Sequence, residues 1–154
     1  MMNKLQGPLH GLGAFEGVEH VLPISIYYED TDLSGVVYLA NYLRYMERGR
    51  TEFFRLAGIS RARLEDEEPT AWTIRRITVE YHRPARLDDQ IAVHSVLTEV
   101  SGARLRALQR VRLGETLLVE GRIEACITTL TGKPRRLPKN VFETLAPFVV
   151  ADET

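Results

Sequence analysis

Three acidic side chains lie within four residues of one another, directly before the most apolar helical stretch of the sequence. They are Glu29, Asp30 and Asp32, in the segment YYEDTDLSGVVY. A carboxylate beside a helix N-terminus can attack a carbonyl carbon or activate water, while free N–H groups of the first turn bind the developing oxyanion. Gly35 would let the backbone approach a substrate closely. The first interpretation is therefore a catalytic carboxylate that acts on a carbonyl compound.

Two other interpretations of the acidic segment remain open at this point. An acid before a helix stabilises its positive end or caps it, which accounts for one acid more easily than for three. A calcium loop of the EF-hand type would use Asp30, Asp32, Ser34 and Gly35, but its twelfth position is Asn41 in place of the bidentate glutamate. The residues before the loop also predict a strand, whereas an EF-hand needs a helix there.

The elements that must position these acids follow from the hydrophobic pattern. Residues 1–19 contain four glycines and little apolar periodicity, so we expect a flexible leader. A β-branched run that starts at His20 predicts a strand. Residues 37–57 predict a helix because apolar residues recur at steps of three or four, and Gly58 stands where a C-cap is expected. We expect one domain over residues 20–150.

Four long strands and a short C-terminal helix are predicted in the rest of the chain. The strands cover residues 73–82, 90–100, 103–113 and 116–130, and the helix covers 138–146. A three-residue turn at 114–116 would pair Leu113 with Leu117 on one face. On the other face it would pair Arg110 with Glu120 and Arg106 with Glu124. The arginines of that second face are explained by cross-strand ion pairs, with a ligand or subunit contact as the alternative. A sheet that curls around the long helix would bury both apolar faces.

The composition of the whole chain limits its function. A chain of 154 residues can form one domain with a sizeable core, and its formal net charge of −1 argues against nucleic acid as the main partner. The single cysteine, Cys126, fits a reducing compartment. Neither a signal peptide nor a membrane-spanning stretch is expected, so we expect a cytoplasmic protein. No His/Cys cluster has the spacing of a zinc site, so no metal is expected.

The segments YYEDTDLSGVVYLANYLRYMERGRTEFF, VEYHRPARLDDQI and GKPRRLPKN together resemble the hotdog-fold acyl-CoA thioesterases. The similarity covers residues 22–145 and is closest to the YbgC-like proteins associated with the Tol-Pal system, within the wider 4-hydroxybenzoyl-CoA thioesterase group. This resemblance implies an α+β hotdog fold, in which a curved antiparallel sheet wraps around one long central helix. It also implies hydrolysis of an acyl-CoA to free acid and coenzyme A without a cofactor, by a homodimer or homotetramer.

The resemblance assigns roles to residues of the acidic segment. Asp32, the second aspartate of D-T-D, would be the nucleophile or the general base. Backbone N–H groups at the helix start would polarise the thioester carbonyl. The residues implied for this oxyanion site and the adjoining pocket are Gly35, Val37, Tyr38, Leu39 and Tyr42. Leu39 departs from the family pattern, since many YbgC-like relatives carry a histidine there.

Basic residues later in the chain are candidates for the phosphates of coenzyme A, because arginine provides forked donors. They are Arg83, Arg86, Lys133, Arg135 and Arg136. Solvated loop charges are the alternative for each. Glu47 is expected to pair with Arg50, three residues away on the helix surface. The alternative is a functional role, since some other hotdog enzymes use a carboxylate on the helix.

Three other functions remain as alternatives. An acyl-CoA-binding module without turnover would not need Asp32, and a Tol-Pal scaffold role would make catalysis secondary. A hydratase usually needs a histidine near the helix, and GVVYLANY has none. A peripheral association with envelope or lipid-synthesis proteins also stays open.

Overall fold

One antiparallel sheet of six strands dominates the computed structural model, which describes residues 13–59 and 70–152. The strands, in chain order, are β1 (Ala14–Glu16), β2 (Glu19–Ser25), β3 (Thr70–Tyr81), β4 (Gln90–Val100), β5 (Arg104–Leu113) and β6 (Thr116–Thr129). Their order across the sheet is β1-β2-β4-β5-β6-β3. Among the described residues, the sheet is accompanied by the α-helices α1 (Asn41–Ala57) and α2 (Lys139–Leu145). The predicted α+β class with one antiparallel sheet is confirmed.

Helix α1 packs its apolar face on β2, β4 and β5. The buried residues on this face include Tyr42, Tyr45, Met46 and Phe53. The helix ends as predicted at Gly58, whose φ of 98° places it in the left-handed region. It begins at Asn41, four residues later than predicted, because the backbone before it forms isolated bridges to other segments. Those bridges join Val36 to Arg86 and Val37 to Thr31.

A buried polar contact fixes α1 against the sheet. The fully buried amide of Gln109 donates to the Met46 carbonyl and to the Ser95 hydroxyl, each at 2.9 Å. Its oxygen accepts a hydrogen bond from the Arg50 guanidinium at 2.8 Å. Burial lowers the pKa of Arg50. The guanidinium therefore points between helix and sheet and forms no direct surface pair with Glu47, although the Glu47 charge raises the pKa of Arg50 and opposes the effect of burial.

The predicted pairing of Leu113 with Leu117 is wrong, because Leu117 pairs with Arg112, but the β5–β6 register agrees with the prediction beyond the turn. Leu113 pairs with Thr116 across a two-residue turn, and the register then shifts between Val111 and Arg112. Leu118 is the extra residue of the resulting bulge. Because of this bulge, the strands regain the predicted pairing beyond the turn.

The charged face of the sheet forms the cross-strand ion pairs that the sequence predicts. Arg110 bonds Glu120 at 2.7 Å, and Arg106 approaches Glu124 at 3.3 Å. The hydrogen bond from Arg110 is the main reason that the pKa of Glu120 is lowered. A cavity of about 240 Å³ on this face is lined by Arg106, Arg122 and other polar residues.

The chain before β2 is partly described. Residues 1–12 of the expected leader lie outside the described residues, as do 60–69 and 153–154. Strand β1 pairs with β2, and Phe15 contacts the rings of Phe53 and Phe148, with centroids 5.0 and 4.8 Å away. Part of the segment expected as a leader is thus built into the sheet. Within the described ranges, no helix is long and apolar enough to cross a membrane.

Candidate active site

The acidic segment is held to the start of α1 through Asp30. Its carboxylate accepts a hydrogen bond from the Tyr27 N–H group at 2.8 Å and so closes a 3₁₀ turn over Tyr28–Asp30. Its carbonyl accepts from the Tyr38 N–H group at 3.0 Å and from the Asn41 side chain at 2.9 Å. Asp30 therefore has a positioning role, whereas Glu29 is exposed.

Asp32 is an exposed carboxylate that is held mainly by hydrogen bonds from Ser34 to one of its two oxygens. Its Oδ1 accepts hydrogen bonds from the Ser34 hydroxyl at 2.5 Å and the Ser34 N–H group at 2.8 Å. The hydroxyl bond is the main reason that the pKa of Asp32 is lowered. The turn is completed by Gly35, at φ 84°, whose N–H group donates to the Asp32 carbonyl at 3.0 Å. Within residues 13–59 and 70–152, no hydrogen bond of good geometry reaches Oδ2, although the nearby Val36 N–H group also lowers the pKa of Asp32.

The N–H groups at the start of α1 divide into used and unused donors. Val37 donates to the Ala85 carbonyl at 2.9 Å, and Tyr38 donates to the Asp30 carbonyl. The N–H groups of Leu39 and Ala40 have no acceptor in the part of the chain that the structure describes. Of the three N–H groups expected to polarise a carbonyl, the one on Leu39 is thus free. Ala40 was missed because the helix was expected to begin too early.

The side chains of the predicted pocket separate into exposed and buried sets. Tyr38 and Leu39 are each 57% exposed. Val37 and Tyr42 are buried, and the Tyr42 hydroxyl accepts a hydrogen bond from the Ala85 N–H group at 2.9 Å. Burial raises the pKa of Tyr42. Val37 and Tyr42 therefore belong to the buried core next to the candidate site, and only Tyr38 and Leu39 lie on its surface.

The loop that follows β3 brings two of the predicted basic residues to the same end of the sheet as Asp32. Arg86 forms an isolated bridge with Val36, next to the acidic segment. The N–H groups of His82 and Arg83 both donate to the carbonyl of Leu118, at 2.8 and 3.1 Å. The β-bulge at Leu118 thereby anchors the start of this loop.

The other predicted basic residues lie at the opposite end of the sheet. Arg135 donates its N–H group to the carbonyl of Ile127 at 2.9 Å, and Pro134 forms a bridge with Thr128. Val119, at the other end of β6, pairs with Tyr81. Nine residues of strand separate positions 119 and 128, which corresponds to about 30 Å. The two basic groups of one chain therefore do not converge.

A cavity of about 380 Å³ lies between α1 and β3. It is lined by Glu47, Thr51, Phe54, Arg55, Ile59, Thr70, Ala71 and Trp72. The rings of Phe54 and Trp72 stack with centroids 5.5 Å apart. Strand β3 is the last strand of the sheet, so its outer edge has no strand partner among the described residues. Asp32 does not line this cavity in the single chain.

The pattern of the thioesterase-like superfamily matches residues 27–145, which include the acidic segment, α1 and the whole sheet from β3 to β6.

The chain belongs to this superfamily.

The chain is similar in sequence to bacterial YbgC proteins. The "Acyl-CoA thioester hydrolase YbgC" of Escherichia coli O6:H1 is 43% identical over 121 residues, which are 77% of this chain and 90% of the relative. The "Acyl-CoA thioesterase YbgC" of Haemophilus influenzae is 36% identical over 120 residues, covering 77% and 88%. A probable thioesterase from Bartonella henselae superposes with a TM-score of 0.75 at 36% identity, covering 78% of this chain and 99% of that one. The resemblance to YbgC-like proteins is confirmed.

Proposed function

We propose that this protein hydrolyses acyl-CoA thioesters, with Asp32 as the reacting carboxylate. The observation that carries the proposal is the combination of an exposed, ionised carboxylate on Asp32 with unused N–H groups on Leu39 and Ala40. The relatives named as acyl-CoA thioester hydrolases support the substrate class.

The site supports two routes, which differ in the role of Asp32. In one route the carboxylate adds to the thioester carbonyl and expels coenzyme A as the thiolate, and water hydrolyses the mixed anhydride. In the other, Asp32 takes a proton from water, hydroxide adds to the carbonyl, and coenzyme A leaves. Negative charge develops on the carbonyl oxygen in both routes. The Leu39 and Ala40 N–H groups would stabilise it, and Leu39 needs no side-chain proton for this role.

A shared site between two subunits is part of the proposal. The uncovered edge of β3 and the cavity beside it would be closed by a second copy, since an unpaired edge readily adds another strand. Antiparallel pairing of two β3 strands would bring residues 133–136 of the partner subunit towards Asp32. The two basic groups lie far apart within one chain, but in such a dimer they would meet across the interface and form one coenzyme A site. A dimer, or a tetramer of two dimers, follows from it.

The remaining parts of the proposal concern the whole chain. Residues 20–150 would form one hotdog domain, with the sheet wrapped around α1 as its central helix. The cavity between α1 and β3 would receive the acyl group, and Phe54 and Trp72 would supply apolar walls. A cytoplasmic location agrees with the single cysteine, Cys126.

Replacement of Asp32 by asparagine tests the proposed function. We expect Asp32→Asn to lower kcat by at least about a hundred-fold, because acid–base catalysis commonly contributes that much or more. Thiol release from a panel of acyl-CoAs measures turnover, and fluorescence titration measures acyl-CoA binding, which should persist. Glu29→Gln is the matched control, since Glu29 is an exposed acid of the same segment. Turnover by Asp32→Asn equal to that of Glu29→Gln would exclude Asp32 from the mechanism. Binding without turnover by the unaltered chain would favour a binding module.

A further inference from the structure

A tyrosine on the edge strand contacts the helix start at the point where the free N–H groups lie. The hydroxyl of Tyr81, the last residue of β3, donates a hydrogen bond to the Leu39 carbonyl at 3.2 Å. The same carbonyl accepts the Tyr42 N–H group at 3.3 Å. Two donors from different elements therefore hold one peptide unit.

The orientation of that peptide unit decides where the Ala40 N–H group points. The peptide group between residues 39 and 40 is planar and trans, so its C=O and N–H bonds point in opposite directions. Holding the Leu39 carbonyl against Tyr81 therefore aims the Ala40 N–H group away from the Tyr81 hydroxyl. The preceding peptide is held in a similar way, since the Tyr38 carbonyl accepts the Asn41 N–H group at 2.9 Å.

Tyr81 is itself well placed to act as a fixed support. Its ring contacts Tyr42 edge to face, with centroids 5.8 Å apart, and its backbone pairs with Val119 of β6. Its side chain is only partly buried, at 44% exposure, so packing alone does not explain a polar tip directed at the helix start. The Leu39 carbonyl, which accepts the Tyr81 hydroxyl, already accepts the Tyr42 N–H group at the start of α1.

We propose that Tyr81 is a positioning residue, which fixes the Leu39–Ala40 peptide so that its N–H group meets the oxyanion of the thioester intermediate. This inference rests on the proposed function and adds a determinant from β3 to the catalytic machinery. Tyr81 does not touch the substrate in this scheme. Its effect belongs to kcat, because the oxyanion forms only after the substrate has bound.

The test is Tyr81→Phe, which removes one oxygen and keeps the ring. We expect kcat to fall about three- to ten-fold, as the loss of one neutral hydrogen bond predicts, while KM changes less than about two-fold. The fall should be the same for short aliphatic, long aliphatic and aromatic acyl-CoAs, because all form the same oxyanion. Tyr28→Phe is the matched control, since Tyr28 is 82% exposed and its hydroxyl makes no hydrogen bond to a described residue. Thermal unfolding of each variant shows whether the fold is retained.

Several outcomes would overturn the inference. An unchanged kcat in Tyr81→Phe would show that the hydroxyl does not aid turnover. A rise in KM alone, or an effect that depends on the acyl group, would make Tyr81 a substrate contact. Either result with an active wild-type chain would leave the proposed function intact, whereas no turnover by the wild-type chain would overturn both.

Discussion

Gln109 provides a direct test of what positions α1, and thereby the N–H groups of the candidate site. The side chain is fully buried and makes three hydrogen bonds between helix and sheet. Gln109→Leu keeps most of the volume and removes every polar atom. The Arg50 guanidinium and the Ser95 hydroxyl then lose partners in a region that water does not reach easily, whereas the Met46 carbonyl keeps its helical bond.

The expected loss follows from these contacts. Three hydrogen bonds of about 1 kcal/mol each give about 3 kcal/mol, and a buried donor left without a partner adds about 1–2 kcal/mol. We therefore expect the free energy of unfolding to fall by about 4–5 kcal/mol, a large part of the total for a typical domain. With a denaturant slope of about 2 kcal/mol per molar, the urea midpoint should fall by about 2 M.

Equilibrium urea unfolding, followed by far-UV circular dichroism, measures this change. The control is the double variant Arg50→Met, Gln109→Leu, which removes both polar partners together. It should recover at least half of the loss, because replacing both partners of a buried pair by apolar groups costs far less than removing one. A loss below about 1 kcal/mol for Gln109→Leu, or no recovery in the double variant, would refute the role given to this contact.

Two further predictions concern the candidate active site. Ser34→Ala removes the hydroxyl bond that lowers the pKa of Asp32, so that this pKa should rise towards its ordinary value. The proposed reaction needs the ionised carboxylate, which is protonated as pH falls through its pKa. The acid limb of kcat/KM against pH should therefore move to higher pH in Ser34→Ala. Coincident limbs for variant and wild type would contradict this. In the second experiment, Asp32→Asn and Arg135→Ala subunits are mixed in equal amounts and allowed to exchange. Half of the dimers are then mixed, and each mixed dimer has one intact site out of two. At limiting acyl-CoA, the mixture should therefore regain about a quarter of wild-type activity. No gain above the separate variants would place both residues' contributions within one subunit or remove Arg135 from the site.

The sheet was largely predictable because its signals are local and regular. Strand alternation located β3 to β6 closely, and the complementary pairs Arg110–Glu120 and Arg106–Glu124 fixed the register. The turn was not predictable in the same way. A bulge adds one residue without changing the alternation beyond it, so the pattern could not distinguish a three-residue turn from a two-residue turn followed by a bulge.

Sequence periodicity did not predict where α1 begins, next to the candidate site. Apolar residues at helical spacing begin at Val37, but tertiary bonds to Ala85 and Asp30 hold residues 37 and 38 outside the helix. Those partners are distant in the chain or belong to a loop, so no local pattern reports them. The contact of Tyr81 with the Leu39 carbonyl is of the same kind. It could be found only when both segments were placed in space.

Strand β6 pairs with β5 on one side and with β3 on the other. Deletion of Leu118, the extra residue of its bulge, would affect these two sides differently. Loss of that residue would leave the β5 side with an ordinary two-residue hairpin in the same alignment. The β3 side would instead lose the one carbonyl that receives two amides from the loop bearing Arg83. We therefore expect a chain that lacks Leu118 to keep the β5–β6 hairpin, while the loop after β3 loses its anchor on β6.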